Sequence, residues 1–216
     1  MILLHAFPLD GSMWEGLAGE PVDHPGTGSL ADWSDLVAAR IEHPQVVCGI
    51  SMGGYAALEL VRRHPQAVAG LVLADTNALA SPAEQLPARE TALERVRREG
   101  VEANFDAMAA SLFREEPDPA VVARARSIAT AQPAARVVGM LESLRDRPDA
   151  ETVLPSIAVP VIVVFGAQDA ISPPGTMRAL AARIPGAQAI EIPDAGHLSA
   201  MEQPAAFAAA CSVLRQ

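Results

Sequence analysis

The stretch Val46-Val47-Cys48-Gly49-Ile50-Ser51-Met52-Gly53-Gly54-Tyr55 decides how the rest of the chain is read. Its first five residues form an apolar run of strand length. Ser51 to Arg63 then has helical apolar spacing at Tyr55, Leu58 and Val61, and stops before Pro65. A strand, a tight turn and a helix therefore follow in order, with Gly49-x-Ser51-x-Gly53 at the turn. In that setting the pattern reads as a nucleophile elbow: side chains at Gly49 and Gly53 would strike neighbouring backbone, and Ser51 is thrust out at the carboxyl end of the strand. Taken alone the pattern is weak, since roughly one chain in fifteen of this length holds it by chance. Its context supplies the specificity.

Further apolar runs of strand length stand at Ile2 to Leu4, Leu71 to Ala74, Val161 to Phe165 and Ala189 to Ile192, with helical stretches between them. Such runs predict buried parallel strands in a helix-covered sheet. Between Leu73 and Val161 the strand pattern vanishes, and four amphipathic segments replace it, separated by Gly100, the Pro117 to Pro119 region, Pro133 and Pro148. This predicts a core of residues 1–76 and 156–216 with a helical cap inserted over residues 77–155. The first cap helix is expected to start at Ser81 as N-cap, with Pro82 at its first position and Glu84 completing a capping box. The next places Phe105, Met108, Ala109 and Leu112 on one face, which reads first as helix packing. Phe105 and Met108, with Trp14, Met140 and Leu198, are also the candidates for an apolar substrate pocket.

A serine hydroxyl is a poor nucleophile at neutral pH and needs a base of suitable pKa. His197, in Asp194-Ala195-Gly196-His197-Leu198, follows the last apolar strand on a loop that can reach back to Ser51. His24, His43 and His64 lie beside prolines in loops or helix ends and read as structural or solvated. Asp169, just past the strand ending at Phe165-Gly166, is placed to accept the other imidazole proton and stabilise the imidazolium. Asp75, at the end of the strand before the cap, is the rival acid; its plainer reading is a turn or helix cap. The order Ser51, Asp169, His197 matches a known chain order for such triads. An oxyanion needs donors as well, and the N–H groups of Met52 and Phe7 are the candidates. His5 is expected to brace the Phe7 loop, and Asp23 to hold the loop around it through backbone N–H groups.

Composition narrows the partners. The 216 residues carry 26 acidic and 16 basic side chains, a net charge of −10. Nucleic acid and anionic membrane are thus poor partners. Half the residues are hydrophobic, enough for one sizeable core. Cys48 and Cys211 form no disulfide framework or metal cluster and read as buried small apolar residues. No targeting or membrane-spanning stretch is evident, so a cytoplasmic location is the default.

Several runs together resemble the α/β-hydrolase superfamily, within it the branch of 3-oxoadipate enol-lactonases and related small esterases. These are LLHAFPLDGSMW from Leu3, DHPGTGS from Asp23, GISMGG from Gly49, VPVIVVFGAQDAISPP from Val159 and IPDAGHLSAMEQP from Ile192. The resemblance spans nearly the whole chain. It implies an esterase-type triad, a helical cap over the pocket and no cofactor or metal. The chain departs from the pattern by starting on what corresponds to the third strand of the family, leaving about six mostly parallel strands, and by carrying Ala6 where Gly is common. An ester or lactone is the expected small-molecule substrate. Cleavage of thioesters, acyl transfer and carbon–carbon bond hydrolysis would use the same triad, and a non-catalytic binding module would keep only the fold. A carboxylate-bearing lactone would need a local counter-charge, for which Arg136 and Arg145 of the cap are considered, although helix-surface arginines are ordinarily solvated. The strand near Val22 is expected to be a blunted sheet edge, so any oligomer should form through the cap or a helix face and not by pairing of the Glu20 to Asp23 segment.

Overall fold

The computed structural model describes residues 1–215. Six strands form one parallel sheet: β1 (Ile2–Leu4), β2 (Glu20–Pro21), β3 (Gln45–Ile50), β4 (Val68–Ala74), β5 (Val161–Gly166) and β6 (Gln188–Ile192). Their spatial order is β2-β1-β3-β4-β5-β6. Parallel neighbours require crossovers, and helices supply them: α1 (Leu30–Ala38) and α2 (Met52–Arg63) flank β3, while α7 (Pro174–Ala182) joins β5 to β6. Two further helices, α8 (Ser199–Glu202) and α9 (Pro204–Ser212), follow the last strand.

Because successive strand residues face opposite sides, the near-continuous apolar strands feed two cores. Ile2, Leu4, Val47, Leu71 and Val163 pack on one side with Trp33 of α1 and Leu58 of α2. Leu3, Cys48, Val72 and Val164 pack on the other with Phe207 and Cys211 of α9. Both cysteines are buried, and burial followed by the neighbouring Cys211 thiol pushes the Cys48 thiol well up.

Four helices lie between β4 and β5: α3 (Leu86–Glu99), α4 (Val101–Leu112), α5 (Pro119–Thr130) and α6 (Ala134–Arg145). They pack onto the sheet layers, with Leu93, Val96, Val137 and Met140 joining the first core and Phe105, Leu112, Ala125 and Ala129 the second. The expected start of the first of these helices is corrected. Pro82 leads into a short 3-10 turn (Ala83–Gln85), and α3 begins only at Leu86. The Ser81 hydroxyl caps nothing there but donates to the carbonyl of Leu144 at 2.7 Å, tying the segment to the end of α6. A capping box does occur at α1, where the Ser29 hydroxyl and the Asp32 carboxylate satisfy each other's backbone N–H groups.

At the sheet edge β2 is two residues long and contains Pro21, and its backbone is held from one side by Met1 and Leu3. Among the described residues no helix is long and apolar enough to cross a membrane.

Candidate active site

The turn between β3 and α2 is built by steric exclusion. A Cβ on Gly49 would lie 2.2 Å from the carbonyl oxygen of Gly53, and one on Gly53 would lie 2.1 Å from that of Leu4. Backbone cannot yield at such distances, so only glycine lets β1, β3 and α2 approach this closely. Ser51 itself takes φ 51° and ψ −113°, a conformation that non-glycine residues adopt only where the surroundings over-determine it. Its N–H donates to the carbonyl of Ala74 (2.9 Å), and its own carbonyl accepts from the Thr76 hydroxyl (2.9 Å). The strained residue is thus clamped from the end of β4 and the turn that follows it.

Three side chains then meet in a line. The Ser51 Oγ stands 2.8 Å from Nε2 of His197, whose Nδ1 stands 2.9 and 3.0 Å from the two oxygens of Asp169. Both His197 and Asp169 are buried. A carboxylate at Nδ1 fixes the proton there, which leaves Nε2 as the acceptor for the serine hydroxyl. Asp169 is held in turn by the N–H groups of Ile171 (2.8 Å) and Ser172 (2.9 Å). Asp75 does not reach the imidazole. It accepts from the Gly166 N–H at 2.9 Å and pairs with the Ser199 hydroxyl, and burial together with the nearby Asp169 charge pushes its carboxyl well up.

Met52 is the first residue of α2, so its N–H has no intrahelical acceptor and sits at the positive end of the helix. Phe7 borders the same space as Ser51. Its loop is braced from below. The His5 Nδ1–H donates to the carbonyl of Ala6 (3.0 Å), and His5 Nε2 accepts the N–H of His24 (3.0 Å). His24 continues the chain: Nδ1 accepts the Gly26 N–H (3.0 Å), which leaves Nε2–H to donate to the Ser143 hydroxyl of α6 (3.0 Å). Both rings pack against Trp33. Asp23 accepts the Gly11 N–H at 2.7 Å. Of the other histidines, His64 pairs with Asp35 at 2.6 Å and His43 is exposed.

The serine opens into a cavity of about 60 Å³. Its walls include Tyr55 of α2, Arg89 of α3, Met108 of α4, Leu144 of α6 and Ile171 from the Asp169 loop. Of the apolar residues expected around a pocket, Met108 therefore lines this space. Trp14, Phe105 and Leu198 are packed in one core and Met140 in the other, and none of the four borders the cavity. A helical stripe or a lone Trp marks a buried face without telling core from cavity. The helical segment between β4 and β5 is stitched to the His197 and Asp169 loops. Leu198 N–H donates to Leu112 (3.0 Å), and Glu115 N–H to the Gln168 side chain (2.9 Å). Glu202 accepts N–H groups from both Gly196 (2.6 Å) and Arg114 (3.0 Å). Glu202 lay within a run already singled out by resemblance, but only its fold position shows that it joins the loop of His197 to the end of α4.

Residues 1–210 match the sequence profile of the alpha/beta hydrolase family. The chain belongs to that family. Among its relatives is a pimeloyl-[acyl-carrier protein] methyl ester esterase of Aromatoleum aromaticum, 31% identical over 239 aligned positions that cover 94% of this chain and 93% of the other. A malate-bound thermophilic esterase from Thermogutta terrifontis superposes with a TM-score of 0.91 at 34% identity, over 99% of this chain and 88% of that one. The enol-lactonase from Burkholderia xenovorans superposes at 0.87 with 26% identity, over 99% and 90%. The strand-turn-helix at Ser51 is thus part of an alpha/beta hydrolase enzyme fold.

Proposed function

We propose that this alpha/beta hydrolase cleaves a carboxylic ester or lactone through an acyl-enzyme on Ser51. The observation that carries the reading is the unbroken hydrogen-bond line from Ser51 Oγ through His197 to Asp169, set at the apex of a strained turn. As the Ser51 oxygen attacks the ester carbonyl, its proton passes to His197 Nε2, and the resulting imidazolium is stabilised by the Asp169 carboxylate at Nδ1. The carbonyl oxygen gains negative charge facing the N–H groups of Met52 and Phe7. Collapse expels the alcohol, which takes the proton back from His197 and leaves the acyl group on Ser51. A water molecule then repeats the sequence, releasing the acid and restoring the serine.

Relatives named as esterases and an enol-lactonase support this reading. The cavity beside Ser51 is well below the ~300–1,000 Å³ of sites that engulf drug-sized ligands, which favours a short acyl group there. The test is hydrolysis of p-nitrophenyl esters of graded acyl length by the wild type and by Ser51→Ala. The variant should fold normally and lose activity by a factor on the order of 10⁴ to 10⁶. Retained activity would remove Ser51 from the mechanism.

A further inference from the structure

Residues 74–76, at the end of β4 and in the turn after it, reach the backbone or the loop of every member of the hydrogen-bond line. Ala74 and Thr76 hold Ser51 by its N–H and its carbonyl. Asp75, between them, is taken up instead by the loops of Asp169 and His197. Its carboxyl accepts the Gly166 N–H at 2.9 Å where the Asp169 loop begins, and its carbonyl accepts from the Ser172 hydroxyl at 3.3 Å where that loop ends. On its other side the carboxyl pairs with the hydroxyl of Ser199, two residues past His197, and also faces the Ser199 N–H. Asp75 is fully buried and takes φ 45°, in the left-handed region that a non-glycine residue occupies only where its surroundings impose it. Gly166 is pressed between the two loops, since a Cβ there would lie 2.1 Å from the carbonyl oxygen of Gly196.

Hydrolysis needs His197 within hydrogen-bond reach of Ser51 and Asp169 at once, although these side chains come from separate loops, and a misplacement of about 1 Å can cost a hundredfold in rate. We infer that Asp75 is a positioning residue, which fixes the Asp169 loop and the His197 loop in register against the strand end that holds Ser51. The inference deepens the ester-hydrolase reading and rests on it. Charge balance fits the same role. Two buried carboxyl groups close together do not both ionise readily. Asp169 faces an imidazole and two backbone N–H groups, whereas burial and then the Asp169 charge push the Asp75 carboxyl well up. Asp75 thus supplies ties without adding a second negative charge behind the imidazolium. A carboxyl in its acid form has an accepting and a donating side, as an amide has.

That equivalence shapes the test. Asp75→Asn keeps an acceptor for Gly166 and offers its NH₂ to the Ser199 oxygen, so kcat for a p-nitrophenyl ester should stay within about tenfold of wild type. Asp75→Leu, of similar size, loses both ties and should lower kcat by about a hundredfold or more, with KM within about threefold. Ser199→Ala cuts only the tie on the His197 side and should lower kcat by about three- to tenfold at nearly constant KM; it decides the matter if Asp75→Leu does not fold. Proton NMR adds a readout that needs no turnover. The far-downfield signal of the His197 Nδ1–H, held by Asp169, should persist in Asp75→Asn and be broadened or lost in Asp75→Leu and Ser199→Ala. Wild-type kcat in folded Asp75→Leu or in Ser199→Ala, a loss carried by KM, an Asp75→Asn as inactive as Asp75→Leu, or an Nδ1–H signal unchanged in Ser199→Ala overturns the inference. If the wild type turns over no ester, the hydrolase reading fails by itself, and the NMR comparison still judges the role of Asp75.

Discussion

Acid should loosen the protein through His24, and the size of the effect follows from its surroundings. Burial, then the neighbouring charges of His5 and Arg136, push the His24 pKa from 6.5 down to about 4. Hydrogen-bond geometry acts in the same direction. Nδ1 accepts the Gly26 N–H while Nε2 faces Ser143, so protonation would set a second N–H against that of Gly26. The folded state therefore holds the neutral ring, while the unfolded chain takes up a proton near pH 6.5. Between those values the unfolded state binds more protons, and stability must fall as pH falls. His24 contributes its full share above about pH 6.5; the linkage relation then removes ~2 kcal/mol by pH 5 and ~3 kcal/mol by pH 4. Urea unfolding at pH 7, 6 and 5 of the wild type and of His24→Gln measures this. The variant should start about 1–2 kcal/mol less stable from the lost buried bonds, and should then lose ~2 kcal/mol less than the wild type on going to pH 5. The carboxylates remain in both proteins, so their contribution cancels; His5, whose pKa is also lowered by burial and whose charge acts on His24, is included in the difference together with His24. Parallel stability curves for the two proteins would refute the argument. The backbone N–H of His24 holds His5, and His5 holds the carbonyl of Ala6 beside Phe7, so under the proposed mechanism the same loosening reaches the Phe7 loop.

Two other perturbations separate the roles of buried acids. Asp169→Asn should lower kcat/KM for a p-nitrophenyl ester by a factor on the order of 10⁴, whereas Asp75→Asn should stay within about tenfold of wild type; the reverse order would hand the acid role to Asp75. Glu202→Gln leaves one of the Gly196 and Arg114 N–H groups facing an amide NH₂, so it should destabilise the fold by about 1–3 kcal/mol in urea and lower kcat more than it raises KM. A change in KM alone would mean that Glu202 does not position the loop of His197.

The parts of the site that were legible in sequence are those set by local sterics and strand ends. Gly49 and Gly53 announce the elbow because no other residue fits, and Asp169 and His197 stand directly after apolar runs whose ends converge on one edge of a parallel sheet. The segment between β4 and β5 was legible as helices but not in detail. Ser81 and Pro82 carry a helix-start signal that a 3-10 turn uses instead, because the Ser81 hydroxyl finds a tertiary acceptor on Leu144. Trp14, Phe105, Met140 and Leu198 read as pocket candidates since apolar periodicity marks a buried face without saying what it is buried against. Arg89 was invisible for the complementary reason. On a polar, Arg-rich helix it looks like any solvated cation until α3 is laid against Tyr55 and Ser51.

The acyl-enzyme on Ser51 is tested most directly by treating the protein with a fluorophosphonate and mapping the adduct by peptide mass spectrometry while following ester hydrolysis. The account predicts one phosphonyl group on the peptide containing Ser51, loss of hydrolysis in proportion to labelling, and no labelling in His197→Ala over the same interval, because without the base the hydroxyl is not activated. Stoichiometric labelling at another residue, or full hydrolysis by protein labelled at Ser51, would contradict it.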